Sequence, residues 1–235
     1  MFDSVLITGT SRGLGLAMVR NCLRAGALVF AAARHPDATD LVSLQDAYGP
    51  RLIRIPMDVT RTDLVSAAAK RVAQHTDRLD LVVNNAAAHP VDTKEPLETM
   101  NPDHCLDIFD VNTIGPLRVV KAFLPLLERS RIPTVANISS DAGSIGTSRR
   151  DREFAYCMSK AALNMESVLL QNHLLDRGIR VLAIHPGWVR TDMGGPRAPL
   201  DVADAAAQVL EAIRAARDAA DKAVFVDNQG RPLLY

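Results

Sequence analysis

Short runs of aliphatic and β-branched residues recur along the chain at Ser4–Thr8, Ala27–Ala33, Arg51–Pro56, Leu79–Asn84, Thr134–Ser139, Ile179–His185 and Ala223–Val226. Between them, stretches such as Leu14–Ala25, Thr62–His75, Phe154–Arg177 and Val202–Ala216 carry alanine, leucine and charges at helical spacing. The short runs are apolar nearly throughout, so each predicts a strand covered on both faces. Such strands alternating with helices predict a parallel sheet, because every crossover must return to the same edge and lay a helix on the sheet. The pattern therefore predicts an α/β fold, a doubly wound sheet of about seven parallel strands with helices on both faces. The alanine-rich stretch 203–220 reads as a surface helix, and Gly143–Arg152 (GSIGTSRRDR) reads as a surface flap.

Length and charge narrow the function classes. The 235 residues fit one domain spanning 1–235, and 48% hydrophobic with 23% charged residues are the proportions of a globular chain. Lysine plus arginine (27) balance aspartate plus glutamate (27), so no overall basic field points to nucleic acid or anionic lipid. The three cysteines, Cys22, Cys105 and Cys157, are widely spaced and form no zinc or disulfide pattern, which fits a reducing cytoplasm. No apolar run reaches the roughly 18 residues of a membrane span, and the first strand starts too early for a signal peptide. A cytoplasmic chain with no membrane and no nucleic-acid partner is expected.

The first strand runs into Thr8-Gly9-Thr10-Ser11-Arg12-Gly13-Leu14-Gly15 and then directly into a helix. In this strand–turn–helix setting, glycines let the backbone approach a pyrophosphate, which the helix N-terminus then meets with N–H groups and positive potential. The expected fold is in this sense Rossmann-type. The second strand ends Ala31-Ala32-Ala33-Arg34, with no carboxylate for a ribose 2′-OH. Arg34, joined by Arg12 in the turn, suits the 2′-phosphate of NADP(H) instead.

Tyr156 and Lys160 stand four residues apart in a predicted helix, so phenol and ammonium share one face. A nearby cation lowers the phenol pKa and gives tyrosine the character of a general acid or base. Ser140 closes the fifth strand at the carboxyl edge, where open α/β sheets bind ligands, and is placed to donate to a carbonyl oxygen.

With these residues in order, the chain resembles the short-chain dehydrogenase/reductase family of the classical type, over nearly its whole length. The family's TGxxxGxG turn appears as Thr8–Gly15, its Asp-Val as Asp58-Val59, and its NNAG as Asn84-Asn85-Ala86-Ala87. Its helix asparagine matches Asn112, its serine Ser140, its YxxxK Tyr156 and Lys160, and its PGxVxT Pro186-Gly187-Trp188-Val189-Arg190-Thr191. The segment HPGWVRTDMGG is similar to the C-factor and sniffer-like carbonyl reductases within it. Two features depart from the family pattern: Ala87 replaces a glycine, and the stretch 143–152 lengthens the loop before Tyr156.

The resemblance implies an NADP(H)-dependent oxidoreductase acting on a small carbonyl or secondary alcohol. Asn112, Ser140, Tyr156 and Lys160 would be catalytic. Gly9, Ser11, Arg12, Gly13, Leu14, Gly15, Arg34, Asp58, Val59, Asn85, Ala86, Tyr156, Lys160, Pro186, Gly187, Val189 and Thr191 would hold the cofactor, with Asn85 on its ribose. No metal is expected, and a homodimer or homotetramer is. The alternative is a reductase-like signalling or interaction protein that binds the cofactor with little turnover. One feature comes from the residues themselves: Pro116 lacks the N–H that would bond the Asn112 carbonyl. A kink there would either turn that carbonyl toward a water or merely curve the helix.

Overall fold

The computed structural model describes residues 2–89, 95–218 and 223–235. Its strands are β1 (Ser4–Thr8), β2 (Leu28–Ala33), β3 (Leu52–Pro56), β4 (Leu81–Asn84), β5 (Thr134–Ile138), β6 (Arg180–His185) and β7 (Phe225–Asp227). They form one parallel sheet in the order β3-β2-β1-β4-β5-β6-β7. Each predicted run yields a strand, shifted by no more than two residues at either end. The chain reverses direction across the sheet between β1 and β4, and the crevice that opens there at the strand C-termini is where such sheets bind ligands.

The helices are α1 (Gly13–Arg24), α2 (Thr39–Tyr48), α3 (Thr62–Val72), α4 (His104–Phe109), α5 (Gly115–Leu127), α6 (Phe154–Leu174) and α7 (Val202–Asp218). Alternate strand residues feed two cores. Val5, Ile7, Val29 and Leu81 pack with α1, Leu41 of α2 and the Val209–Ile213 stripe of α7. Leu6, Phe30 and Val82 pack with Val65 of α3, Val119 and Phe123 of α5, and Leu174 at the end of α6. Both faces are covered, so the strands have no solvent-facing side, and this is the cause of their nearly continuous apolar runs. Each such side chain contributes about 1.5–3 kcal/mol by leaving water.

Three segments differ from the sequence reading. The alanine-rich helix turns Ala205, Ala206, Ala212 and Ala216 fully inward, because only small side chains let α7 lie close to α1 and the sheet. The flap is anchored rather than free at its start: Gly143 and Ser144 are buried, and a β-carbon on Gly143 would lie 2.6 Å from the Lys160 main chain. Ile145 to Arg152 are exposed or nearly so. At Asn112 the helix makes neither a simple kink nor a smooth curve; Asp110–Ile114 form one π-helical turn, in which Gly115 N donates to Asp110 O. The wider turn accommodates Pro116 without breaking the helix. Among the described residues no helix is long and apolar enough to cross a membrane, and no cluster of three His, Cys, Asp or Glu is placed to hold a metal ion.

Candidate active site

The glycine turn is shaped by close main-chain approach. Gly9 and Gly13 have φ of 70° and 57°, conformations that cost other L-residues free energy. A β-carbon on Gly15 would sit 2.4 Å from Gly9 O and 2.5 Å from Asn85 Nδ2, and one on Gly9 would sit 2.8 Å from Ala86 Cα. Thr10 pins the turn to β2 by donating from both N and Oγ1 to Ala32 O. No side chain caps the start of α1, so its first N–H groups are available to an anion such as a pyrophosphate.

Asn85, expected on the cofactor ribose, also bonds inward to the glycine turn. Its Nδ2 donates to Thr8 O (2.9 Å) and Gly9 O (3.1 Å), while Asn85 N and Ala86 N donate to Thr8 Oγ1. The amide nitrogen thus ties the end of β4 to the turn. Ala87 needs no glycine conformation, since among the described residues Glu153 is the one non-glycine with positive φ.

Arg34 is exposed at the tip of β2, close enough to Asp58 that its charge helps hold that carboxyl below the usual range, together with hydrogen bonds from Thr60 and against the effect of burial. Val59 packs under the π turn, its Cγ2 only 2.9 Å from where a β-carbon on Gly115 would lie. Arg12 pairs at 3.2 Å with Asp192, both side chains largely in solvent. On the other flank, Pro186 and Gly187 leave β6 in a turn, with Gly187 at φ 84°. Val189 is buried, and Thr191 Cγ2 lies 3.5 Å from where a β-carbon on Gly13 would be. Ser11 and Leu14 are half-buried between these segments.

Ser140 stands just past β5, its Oγ accepting from Ala142 N (3.1 Å) and donating to Asp141 Oδ1 (2.9 Å). The first turns of α6 present Tyr156 and Lys160 to the same edge. Lys160 is fully buried and donates from Nζ to Ile138 O (2.8 Å), lying 5.7 Å from the centre of the Tyr156 ring. Burial brings its pKa down to about 8. Burial also pushes the Tyr156 phenol up to about 12, although the Ser140 hydroxyl pulls it back down. Against the expected lowering by Lys160, loss of water from the phenol sets the direction.

Asn112 is buried, and its side chain is fully engaged. Oδ1 accepts from Ala88 N (2.7 Å), and Nδ2 donates to Ala88 O (2.9 Å) and Ser159 Oγ (3.0 Å). It joins the extension of β4 to α6, which aligns the two elements that flank Tyr156. Sequence reasoning passed over four residues at this mouth: His89, Asp141, Arg150 and Glu153. Arg150 and Glu153 stand three residues apart, but His89 and Asp141 join them only through the folded chain.

The family profile described as short chain dehydrogenase matches residues 3–200. The chain belongs to the short-chain dehydrogenase family. It is thus an oxidoreductase by family. It is similar to the short-chain dehydrogenase RED3 of Pyricularia oryzae, at 34% identity over 225 residues with 89% of each chain covered. Among solved structures it is similar to the carbonyl reductase Sniffer of D. melanogaster, with a TM-score of 0.92, 29% identity and 100% of both chains covered. The NADPH-bound carbonyl reductase from chicken fatty liver gives a TM-score of 0.89 at 30% identity, over 99% of each chain.

Proposed function

We propose that this short-chain dehydrogenase is an NADP(H)-dependent oxidoreductase that moves hydride between nicotinamide and a carbonyl or secondary alcohol. The observation that carries the reading is the convergence of Ser140, Tyr156 and buried Lys160 at the carboxyl edge of β5, beside the glycine turn. The NADPH-bound relative supports the cofactor assignment, and Arg34 supplies a cation for the 2′-phosphate. The bound cofactor would supply the hydride. Ser140 would turn its hydroxyl proton from Asp141 to the substrate oxygen, and Tyr156 would give that oxygen a proton as negative charge develops there. A phenol held at about 12 is neutral and able to donate at neutral pH. Lys160, charged below about pH 8 and 5.7 Å from the centre of the ring, would stabilise the resulting phenolate. Asn112 would act through its main-chain carbonyl, since its side chain is committed to Ala88 and Ser159.

The deciding experiment is NADPH oxidation by the purified protein against a panel of aldehydes and ketones, alongside dissociation constants for NADPH and NADH. Turnover with NADPH preferred supports the reading. Equal affinity for both cofactors would overturn the role of Arg34, and tight binding without turnover on any carbonyl would favour a signalling or interaction protein.

We further infer a cytoplasmic protein, since Cys22, Cys105 and Cys157 are free thiols, and a homodimer or homotetramer. Leu106, Ile114, Leu117, Met158, Met165 and Leu169 are exposed on α4, the π turn, α5 and α6, an apolar surface that association would cover. Light scattering of wild type and of Met165→Glu/Leu169→Glu tests the oligomer. A monomer in both would remove it.

A further inference from the structure

Four polar side chains at the mouth of the site have no part in the proton and hydride steps. Asp141 follows Ser140, Arg150 lies in the flap, Glu153 immediately precedes α6, and His89 reaches in beyond the end of β4. Together they close a ring between the two hydroxyls of the site. Ser140 Oγ donates to Asp141 Oδ1, and Arg150 Nη2 lies 3.6 Å from that same oxygen. Arg150 Nη1 donates to Glu153 Oε2, and Glu153 Oε1 lies 3.2 Å from His89 Nε2. The imidazole of His89 then stacks on the Tyr156 ring, with centroids 4.2 Å apart and planes inclined by 25°.

Glu153 holds this ring at a cost. Its backbone lies at φ 62° and ψ 36°, where the β-carbon crowds the carbonyl, and glutamate is not among the residues that visit this region readily. Strain of this kind persists where the surroundings over-determine it. Here the carboxylate, only 17% exposed, is gripped by Arg150 on one oxygen and faces His89 with the other.

We propose that Glu153 is a positioning residue: its left-handed backbone aims the carboxylate between Arg150 and His89, and the ring so closed holds Tyr156 and Ser140 in register for the substrate oxygen. The same charges act on the phenol. Asp141 and Glu153 push the Tyr156 pKa up and Arg150 pulls it down, beneath the larger effect of burial. The other titratable groups nearby are Lys160 under the ring, Cys157 next in the chain, and His185, 3.9 Å from Asp141 Oδ1. The inference rests on Tyr156 as the proton donor of the proposed reaction.

The test uses the full chain loaded with NADP(H) and compares Glu153→Gly, Glu153→Gln and Arg150→Met. Glycine relieves the strain but opens the ring. Its thermal midpoint should equal or exceed that of wild type, while kcat falls about tenfold to a hundredfold and KM changes less. Glutamine keeps the shape that reaches Arg150 and His89, so it should restore most of kcat. The Tyr156 titration is read without turnover, by NMR of isotope-labelled tyrosine whose ζ carbon distinguishes phenol from phenolate. It should move down in Glu153→Gln and up in Arg150→Met. A merely structural Glu153 would lower the midpoint and leave the titration unmoved, and that result would overturn the proposal, as would wild-type kcat in Glu153→Gly. Shifted titrations in Glu153→Gln and Arg150→Met together with near-normal turnover in Tyr156→Phe would support the ring and overturn Tyr156 as the proton donor.

Discussion

Around Gly9 and Gly15 the site is shaped by main chain, with no room for a β-carbon and with Thr8 and Asn85 bonding backbone atoms. Around Ser140 and Tyr156 it is shaped by charged side chains of the flap and its flanks and by the His89 imidazole beyond the end of β4. The first region is rigid by exclusion, and a wrong residue there fails on shape. The second is held by paired charges, and a wrong residue there fails on electrostatics. A site built in both ways fixes the cofactor sterically while leaving the substrate rim adjustable by exchange of surface residues.

The largest effect on cofactor affinity is expected from Gly15→Ala. Its methyl group would meet Gly9 O and Asn85 Nδ2 at 2.4 and 2.5 Å, so the turn must open. NADPH affinity should fall by more than about a hundredfold, or about 2.7 kcal/mol, in a fluorescence titration. Affinity near wild type would show that this region is not rigid. Next in size, Arg34→Ala should weaken NADPH by about 1.5–3 kcal/mol, roughly tenfold to over a hundredfold, and leave NADH unchanged.

Glu166 belongs to neither region and serves as a control on buried charge. It is buried on α6, neither carboxylate oxygen has a hydrogen-bond partner, and burial pushes its pKa up to about 8 from 4.5. Between those two values the folded protein keeps a proton that the unfolded chain has lost, so stability falls as pH rises through that window. Lys160 acts in the opposite sense above it: its pKa is lowered from 10.5 to about 8, so stability rises from about pH 8 upward. Glu166→Leu should remove the fall and gain about 1–3 kcal/mol near pH 8 in urea denaturation. A wild-type stability that stays flat from about pH 5 to 8 would contradict the burial of an unpartnered carboxyl. The smallest effect is expected from Arg12→Ala: its ion pair with Asp192 is largely exposed, and such pairs contribute about 0–1 kcal/mol. NADPH affinity should stay within a few-fold, and a loss as large as that of Arg34→Ala would place Arg12 on the phosphate.

What the sequence made legible follows the same division. All seven strands were readable, because burial on both faces leaves continuous apolar runs. The glycine turn and the Tyr156/Lys160 pair were readable because steric exclusion and helical spacing constrain neighbours in the chain. Helix α2 left a weak trace, since Leu41 is its one fully buried side chain. The π turn at Asn112 was half visible: Pro116 announced a missing bond, but not that the helix would widen to accommodate it. The inward bonds of the Asn85 amide nitrogen to Thr8 and Gly9 were not legible, since they depend on how β1 and β4 register. The ring through Asp141, Arg150, Glu153 and His89 left no trace beyond the three-residue spacing of Arg150 and Glu153, because His89 and Asp141 meet that pair only in the folded chain.

The central claim is that Tyr156 is the proton donor of an NADPH-dependent carbonyl reduction, and Tyr156→Phe tests it most directly. The variant keeps the ring that stacks on His89 and removes the hydroxyl alone. With a carbonyl that the wild type reduces, at saturating NADPH, kcat should fall by roughly 10²–10⁴ while the NADPH dissociation constant stays within a few-fold. Turnover close to wild type in that variant would contradict the account.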